Sequence, residues 1–370
     1  MPSRHRPSKD KDEEYAPRVP LQEQLLIDLL PELSPRRILS TSVGRGQFAI
    51  AASERFPESS VTCHFFDQFY AQSAQALATL DNLQVVCVPD FPAGPFDLTA
   101  IPVRSSGDAE LTRERLQAGH VALDIGGRLI SATDNEDDTW LHAELRKLFP
   151  KVTRRPLSNG VVYLATKQEP LKKVKQFECQ FAFRDQGRLI HAVSRPGVFS
   201  HRELDGGARA LLKAMVVHAG EQVFEIGCGC GALSLAAASR APGVQVLAVD
   251  SDCRAVQCTQ RGADLNQLAN VDAQLNCSGD TGIADTYDLA LGNPPYFSQY
   301  QIAFLFLRAA HRALKPGGRV MMVTKTPNWY DEHMPEYFTD IEMQMVSGYS
   351  VVSARKPGVR DPRLLSPPRG

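Results

Sequence analysis

The chain has 370 residues, 43% hydrophobic and 22% charged, with 41 Lys and Arg against 42 Asp and Glu for a formal net charge of −1. This is the composition of a globular protein long enough for two ordinary domains. It excludes a global basic field for nucleic acid, so any RNA contact must come from local patches. No apolar run approaches the length of a bilayer span, and the polar stretch 1–15 lacks the apolar core of a secretory signal.

In chain order, residues 1–16 are expected to form a disordered charged tail. Leu21, Leu25, Leu26, Leu29 and Leu30 share one helical face, which predicts a helix over 20–30. A strand and turn follow over 37–46, a helix opens at 48–52, and strands are read at 60–67, 83–88 and 95–102. A helix at 111–118, a strand at 127–131, a helix at 141–149 and a hairpin of 153–156 with 160–165 complete a first domain over 17–166. The lysine-rich stretch 167–176 (Lys167, Lys172, Lys173, Lys175) reads as a linker, either merely solvated or lying against phosphate.

A second domain is expected over 177–355. Its hairpin joins 177–183 to 188–193 through Asp185-Gln-Gly187, and Asp205 caps a helix over 204–218. The apolar run Val223-Phe-Glu-Ile226 reads as a buried parallel strand, followed by Gly227-Cys-Gly-Cys-Gly231 and a helix over 232–238. Further strands are read at 244–250, 273–277 and 287–292, with helices at 252–266 and 302–314. A turn at 315–319 leads into a strand at 320–323, an antiparallel pair of 338–346 and 349–353 closes the domain, and 356–370 is expected to be a second disordered tail.

Chemistry concentrates in three places. The glycines of 227–231 let the backbone turn sharply and let a ligand approach peptide N–H groups at a helix start. Asp250, at the tip of the next strand, is suited to accept from two ribose hydroxyls, and Glu225 can meet a cationic amine. The loop has neither the G-x-G-x-x-G spacing of a dinucleotide site nor the lysine of a P-loop, so a nucleoside without pyrophosphate is expected. Asn293-Pro294-Pro295-Tyr296 is a stiff loop rich in acceptors: the Asn293 amide oxygen and the Pro294 carbonyl can both accept from one planar NH2, and Tyr296 offers a ring for stacking. That suits an amino group conjugated to a π-system. The eight scattered cysteines, without a C-x-x-C pair, read as reduced thiols of a cytosolic protein, and no metal site is expected.

The first half repeats the order of the second: Gly44-Arg-Gly46 for the glycine loop, Asp67 for Asp250, Phe96-Asp-Leu98 for Tyr287-Asp-Leu289. Ala100-Ile-Pro-Val103 then stands for the acceptor loop, so the first copy is expected to have lost catalysis. It is either a plain scaffold or an RNA-docking unit using Arg113, Arg115, Arg128, Arg154 and Arg155.

These motifs resemble the class I S-adenosylmethionine-dependent methyltransferases with an Asn-Pro-Pro-aromatic loop. The lead-in Ser194-Arg-Pro-Gly-Val-Phe-Ser200 with Leu204-Asp-Gly206 is similar to that of the ribosomal RNA guanine-N2 methyltransferases, small-subunit methyltransferase C type and its large-subunit relative. The resemblance implies an α/β fold of two tandem Rossmann-like methyltransferase domains, the N-terminal one degenerate. It also implies a cytoplasmic, monomeric enzyme that uses S-adenosyl-L-methionine to methylate the N2 amine of a guanosine in ribosomal RNA or a ribosomal subunit. Asn293, Pro294, Pro295 and Tyr296 are then catalytic, and Phe199, Glu225, Gly227, Gly229, Gly231, Asp250 and Asp280 hold the cofactor; Ser278 is the alternative to Asp280 beside the adenine. Tyr296 stands where that family usually has Phe and is also found in glutamine-N5 and adenine-N6 enzymes, which remain alternative acceptors. A non-catalytic RNA-binding or assembly protein is a third reading, against which the intact second copy weighs.

Overall fold

The computed structural model describes residues 18–295 and 300–358. The tail 1–16, most of the tail 356–370, and Tyr296 lie outside the described residues.

The first half runs α1 (Leu21–Ile27), β1 (Arg37–Thr41), α2 (Gln47–Arg55), β2 (Ser60–Phe65), α3 (Gln68–Leu77), β3 (Leu83–Cys87), β4 (Phe96–Val103), α4 (Ala109–Ala122), β5 (Leu123–Thr133), α5 (Trp140–Arg146), β6 (Val152–Leu157) and β7 (Gly160–Thr166). A separate hairpin follows, β8 (Cys179–Asp185) with β9 (Arg188–Ser194). The second half runs α6 (Gly206–Ala214), β10 (Gln222–Ile226), α7 (Ala232–Arg240), β11 (Gln245–Asp250), α8 (Cys253–Leu265), β12 (Val271–Leu275), β13 (Tyr287–Gly292), α9 (Gln301–Ala313), β14 (Leu314–Thr324), α10 (Pro327–His333), β15 (Thr339–Val346) and β16 (Tyr349–Arg355).

Each half is a seven-stranded sheet, ordered β3-β2-β1-β4-β5-β7-β6 and β12-β11-β10-β13-β14-β16-β15. Five strands in each are parallel and the last two add antiparallel. Two tandem Rossmann-like α/β domains are therefore present. The strand order reverses at β10, between β11 and β13, which opens a crevice beyond their carboxyl ends. Val223, Phe224 and Ile226 are at most 2% exposed, so β10 is apolar on both faces and broken only by the buried Glu225, rather than alternating.

The strand registers correct two expected equivalences. Arg37 pairs with Ser60 on β2 as Gln222 pairs with Gln245 on β11, so Phe65, not Asp67, matches Asp250. Asp67 instead matches Asp252, and each caps the helix that follows it. Ile38 pairs with Leu98 as Val223 pairs with Leu289, so Pro102 opposes Asn293 in the alignment of copies, two positions later than read from the sequence.

The halves are joined tightly. Arg254 of α8 is 2% exposed, lies over the Phe66 ring at 3.7 Å, pairs with Glu114 of α4 at 2.5 Å and donates to the carbonyls of Pro89 and Pro196. The backbone N–H of Gln68 donates to Ser251 at 2.7 Å and that of Cys253 to Phe66 at 2.8 Å. Four of the five arginines considered for RNA are used within the first half: Arg113 pairs with Glu144, Arg155 with Glu32, Arg154 donates to the Glu136 and Asp138 carbonyls, and Arg115 lies over Phe66. Lys167, expected in a solvated linker, is buried and donates to the carbonyls of Val121 and Leu123.

Candidate active site

The glycine loop leaves β10 at the sheet's switch point. Gly227 takes φ 72° and Gly229 φ 55°, in the left-handed region. A Cβ on Gly227 would come within 2.6 Å of the Phe306 ring, whereas one on Gly229 would meet nothing closer than 4.0 Å, so Gly229 presents bare backbone to the crevice. Asp250 braces this turn: its Oδ2 accepts from Gly229 N at 2.9 Å and its Oδ1 from Asp252 N at 2.9 Å. Burial pushes the Asp250 carboxyl above its ordinary value, and burial with the Asp250 charge pushes Asp252 up to about 7. Together with Asp67 they make this end of the crevice acidic, which suits hydroxyl donors and repels phosphate.

Glu225 is 2% exposed on β10 and accepts from the Ser234 hydroxyl of α7. Burial raises its carboxyl to about 8, and the nearby Asp250 pushes the same way. A buried carboxyl facing a cavity with an acid rather than a cation beside it can give up its proton to pair with a cationic ligand group.

On the other side of β10, Asn293 follows the tip of β13. Its Nδ2 donates to Asp205 Oδ2 at 2.9 Å, and the same oxygen accepts from Ala208 N at 2.9 Å as the cap of α6. A Cβ on Gly207 would fall 2.9 Å from Asn293 Oδ1, so that glycine makes room for the amide. Asp205 thus fixes Asn293 with its oxygen left as the acceptor.

These groups share one cavity of about 580 Å³, a size that admits a nucleoside joined to an amino acid. Phe199, Glu225, Gly227, Gly229, Asp250, Asn293 and Pro295 line it. Three expected residues do not. Gly231 starts α7 at φ 79°, where a Cβ would meet Thr259 Oγ1 at 2.8 Å, so close packing on α8 requires a glycine there. Pro294 is buried. Asp280 pairs with Arg312 and its carbonyl accepts from Asn276, so Asn276, Cys277 and Gly279 take the position at the tip of β12 that Asp280 or Ser278 was expected to hold. Sequence reasoning also missed Asp67, Phe69 and Tyr70 of the first half, which line the same cavity. Cys228 and Cys230 are buried, and burial holds both thiols above their ordinary pKa.

Residues 190–353 match the family described as the methyltransferase small domain. The chain is 34% identical over 175 residues to the ribosomal RNA small subunit methyltransferase C of Chromohalobacter salexigens, covering 44% of this chain and 51% of that one. It is 40% identical over 139 residues to the ribosomal RNA large subunit methyltransferase G of Magnetococcus marinus, covering 35% and 36%. The first of these matches spans about half of the relative's length and the second about a third. Among solved structures, a T. Thermophilus 16S rRNA N2 methyltransferase in complex with AdoMet and guanosine superposes with a TM-score of 0.75 at 24% identity, over 90% of this chain and 92% of that one. That likeness extends the tandem fold over both halves.

Proposed function

We propose that this chain is a cytoplasmic, monomeric S-adenosyl-L-methionine-dependent methyltransferase that modifies the exocyclic N2 amine of a guanosine in ribosomal RNA or a ribosomal subunit. The observation that carries the reading is the pairing, within one crevice, of a buried carboxylate and an acidic strand tip on one side of β10 with a held Asn293 on the other. The names of its relatives supply the RNA, and the similar N2 methyltransferase solved with AdoMet and guanosine supplies the base.

The residues present fit the cofactor. Glu225 answers an ammonium, Asp250 has carboxylate oxygens beside the cavity for ribose hydroxyls, and the bare backbone at Gly229 admits close approach. When bound, S-adenosylmethionine supplies a methyl group on a cationic sulfur, an electrophile that needs no further activation. Asn293 then does the positioning. Its Oδ1 accepts from the target NH2, which turns the nitrogen lone pair out of conjugation and stabilises the positive charge that develops. The proton becomes acidic as the new bond forms, so no strong base is required. A base inside folded RNA must be unstacked to enter, at about a few kcal/mol.

The test is methyl transfer from labelled S-adenosylmethionine into ribosomal particles from cells lacking this protein, followed by nucleoside analysis. Label in N2-methylguanosine is expected. Label in N6-methyladenosine or in protein alone would overturn the acceptor assignment.

A further inference from the structure

The cavity of the second half is not built by the second half alone. Phe69 and Tyr70, in the first turn of α3, line it although they belong to the first half, and they are 54% and 45% exposed. Their rings meet edge to face at 5.6 Å, and among the described residues no other ring stacks on them. Two large aromatic side chains left open at the rim of a cavity are unusual for a packed interface and ordinary for a site that stacks a flat ligand.

Their location names which part of the ligand. Asp67 caps α3 through Phe69 N and Tyr70 N, while its other oxygen accepts from Ser251 at 2.7 Å, just past the tip of β11. Gln68 Oε1 accepts from Cys277 N at 2.8 Å, just past β12. The start of α3 is therefore clamped at the β11 and β12 end of the sheet. Asn293 lies past β13, and β13 is three strand spacings from β12, about 14 Å. The aromatic pair thus sits beyond the ribose carboxylate Asp250, on the side away from the acceptor loop.

We propose that the first half, which has lost the residues of a cofactor site, supplies through Phe69 and Tyr70 the stacking cover over the nucleobase end of the second half's cofactor. This rests on the methyltransferase reading. It gives the degenerate half a direct part in cofactor binding, separate from folding or RNA contact.

Calorimetric titration with two ligands tests it. S-adenosylhomocysteine has both the nucleoside and the amino-acid half; 5′-methylthioadenosine has only the nucleoside. For Phe69→Ala combined with Tyr70→Ala, affinity for both ligands is expected to fall by about tenfold or more, and by the same factor, as loss of base stacking does. Glu225→Gln, by contrast, is expected to weaken S-adenosylhomocysteine and leave 5′-methylthioadenosine unchanged. The substituted side chains are exposed and the capping Asp67 is retained, and thermal denaturation of the variant checks that it folds; Phe69→Leu with Tyr70→Leu, which keeps bulk and removes the rings, serves as the second variant. Affinity within twofold of wild type for both ligands in either folded variant would overturn the inference. A wild-type protein that binds neither ligand would overturn the cofactor reading itself, and this inference with it.

Discussion

Cofactor affinity is expected to rise with pH up to about pH 8, and Glu225 is the reason. In the free protein burial holds this carboxyl at about 8, so at neutral pH it carries a proton. An ionised pair with the ligand's ammonium requires that proton to leave, and binding therefore releases it. By linkage the dissociation constant falls about tenfold per pH unit from the pKa of the complex up to about 8. Above that the ligand's own amine, an α-amino group of pKa about 8, loses its charge and affinity declines again. Glu225→Gln keeps the shape and the bond to Ser234 but cannot ionise. Its affinity is expected to be flat below pH 8 and, at pH 8, about ten- to a hundredfold weaker than wild type, the worth of a hydrogen bond to a charged partner. Calorimetry in buffers of different ionisation enthalpy measures the proton released. A wild-type affinity that does not change between pH 6 and pH 8, with no proton released, would refute the pairing.

The same carboxyl makes the stability of the free protein fall as pH rises, because a folded-state pKa raised above the unfolded value contributes stability that is fully present below about 4.5 and lost through about 8; Glu225→Gln should remove that slope of about 1.4 kcal/mol per pH unit, read from denaturation midpoints in that window. Asp205→Ala frees Asn293 and uncaps α6, so turnover should drop at least tenfold with cofactor affinity nearly unchanged and stability lower by about 1 kcal/mol, as measured by initial rates and calorimetry. Arg254→Ala removes a buried guanidinium from Glu114 and Phe66 and should cost about 3 kcal/mol in urea denaturation, an unchanged midpoint contradicting a tight joint between the halves. Gly227→Ala forces a side chain into φ 72° and against Phe306, and should lower both the melting temperature and cofactor affinity.

What was legible in the sequence was local. The glycine loop, the strand tip at Asp250 and the capping of α6 by Asp205 each depend on residues within a few positions, and the structure has all three. Two helices went unread. The sequence of α3, Gln-Phe-Tyr-Ala-Gln-Ser-Ala-Gln-Ala-Leu, buries only Ala71 and Ala74, so its apolar stripe is too thin to announce a helix. In α10 only Tyr330 is buried and aromatic residues dilute the propensity. β12 starts at Val271, two residues before the expected strand, which moves its tip to Asn276 and leaves Asp280 beside Arg312. Phe69 and Tyr70 carry no local signal, since their place at the cavity follows from how two domains dock.

The paired registers also show what the first copy holds in place of the site residues. Ser40 replaces Glu225, Ser42 replaces Gly227, Phe65 replaces Asp250 and Pro102 replaces Asn293, so every polar group assigned to ligand is gone. The loop amides that would face a cofactor are already satisfied. Glu23 of α1 is fully buried and accepts from Val43 N, Gly44 N and Phe48 N, and from the Ser42 hydroxyl at 2.5 Å. It lies as many residues before β1 as Ala208 lies before β10, and Ala208 lines the open cavity. One side chain, glutamate for alanine, thus fills the first site from within. An unpaired set of buried amides would be unfavourable by about 1–3 kcal/mol each, so a copy that has lost its ligand is under pressure to acquire such an internal acceptor. Once filled, that half no longer needs to open, and a rigid half can be clamped against the tips of β11 and β12, where its α3 meets the working cavity.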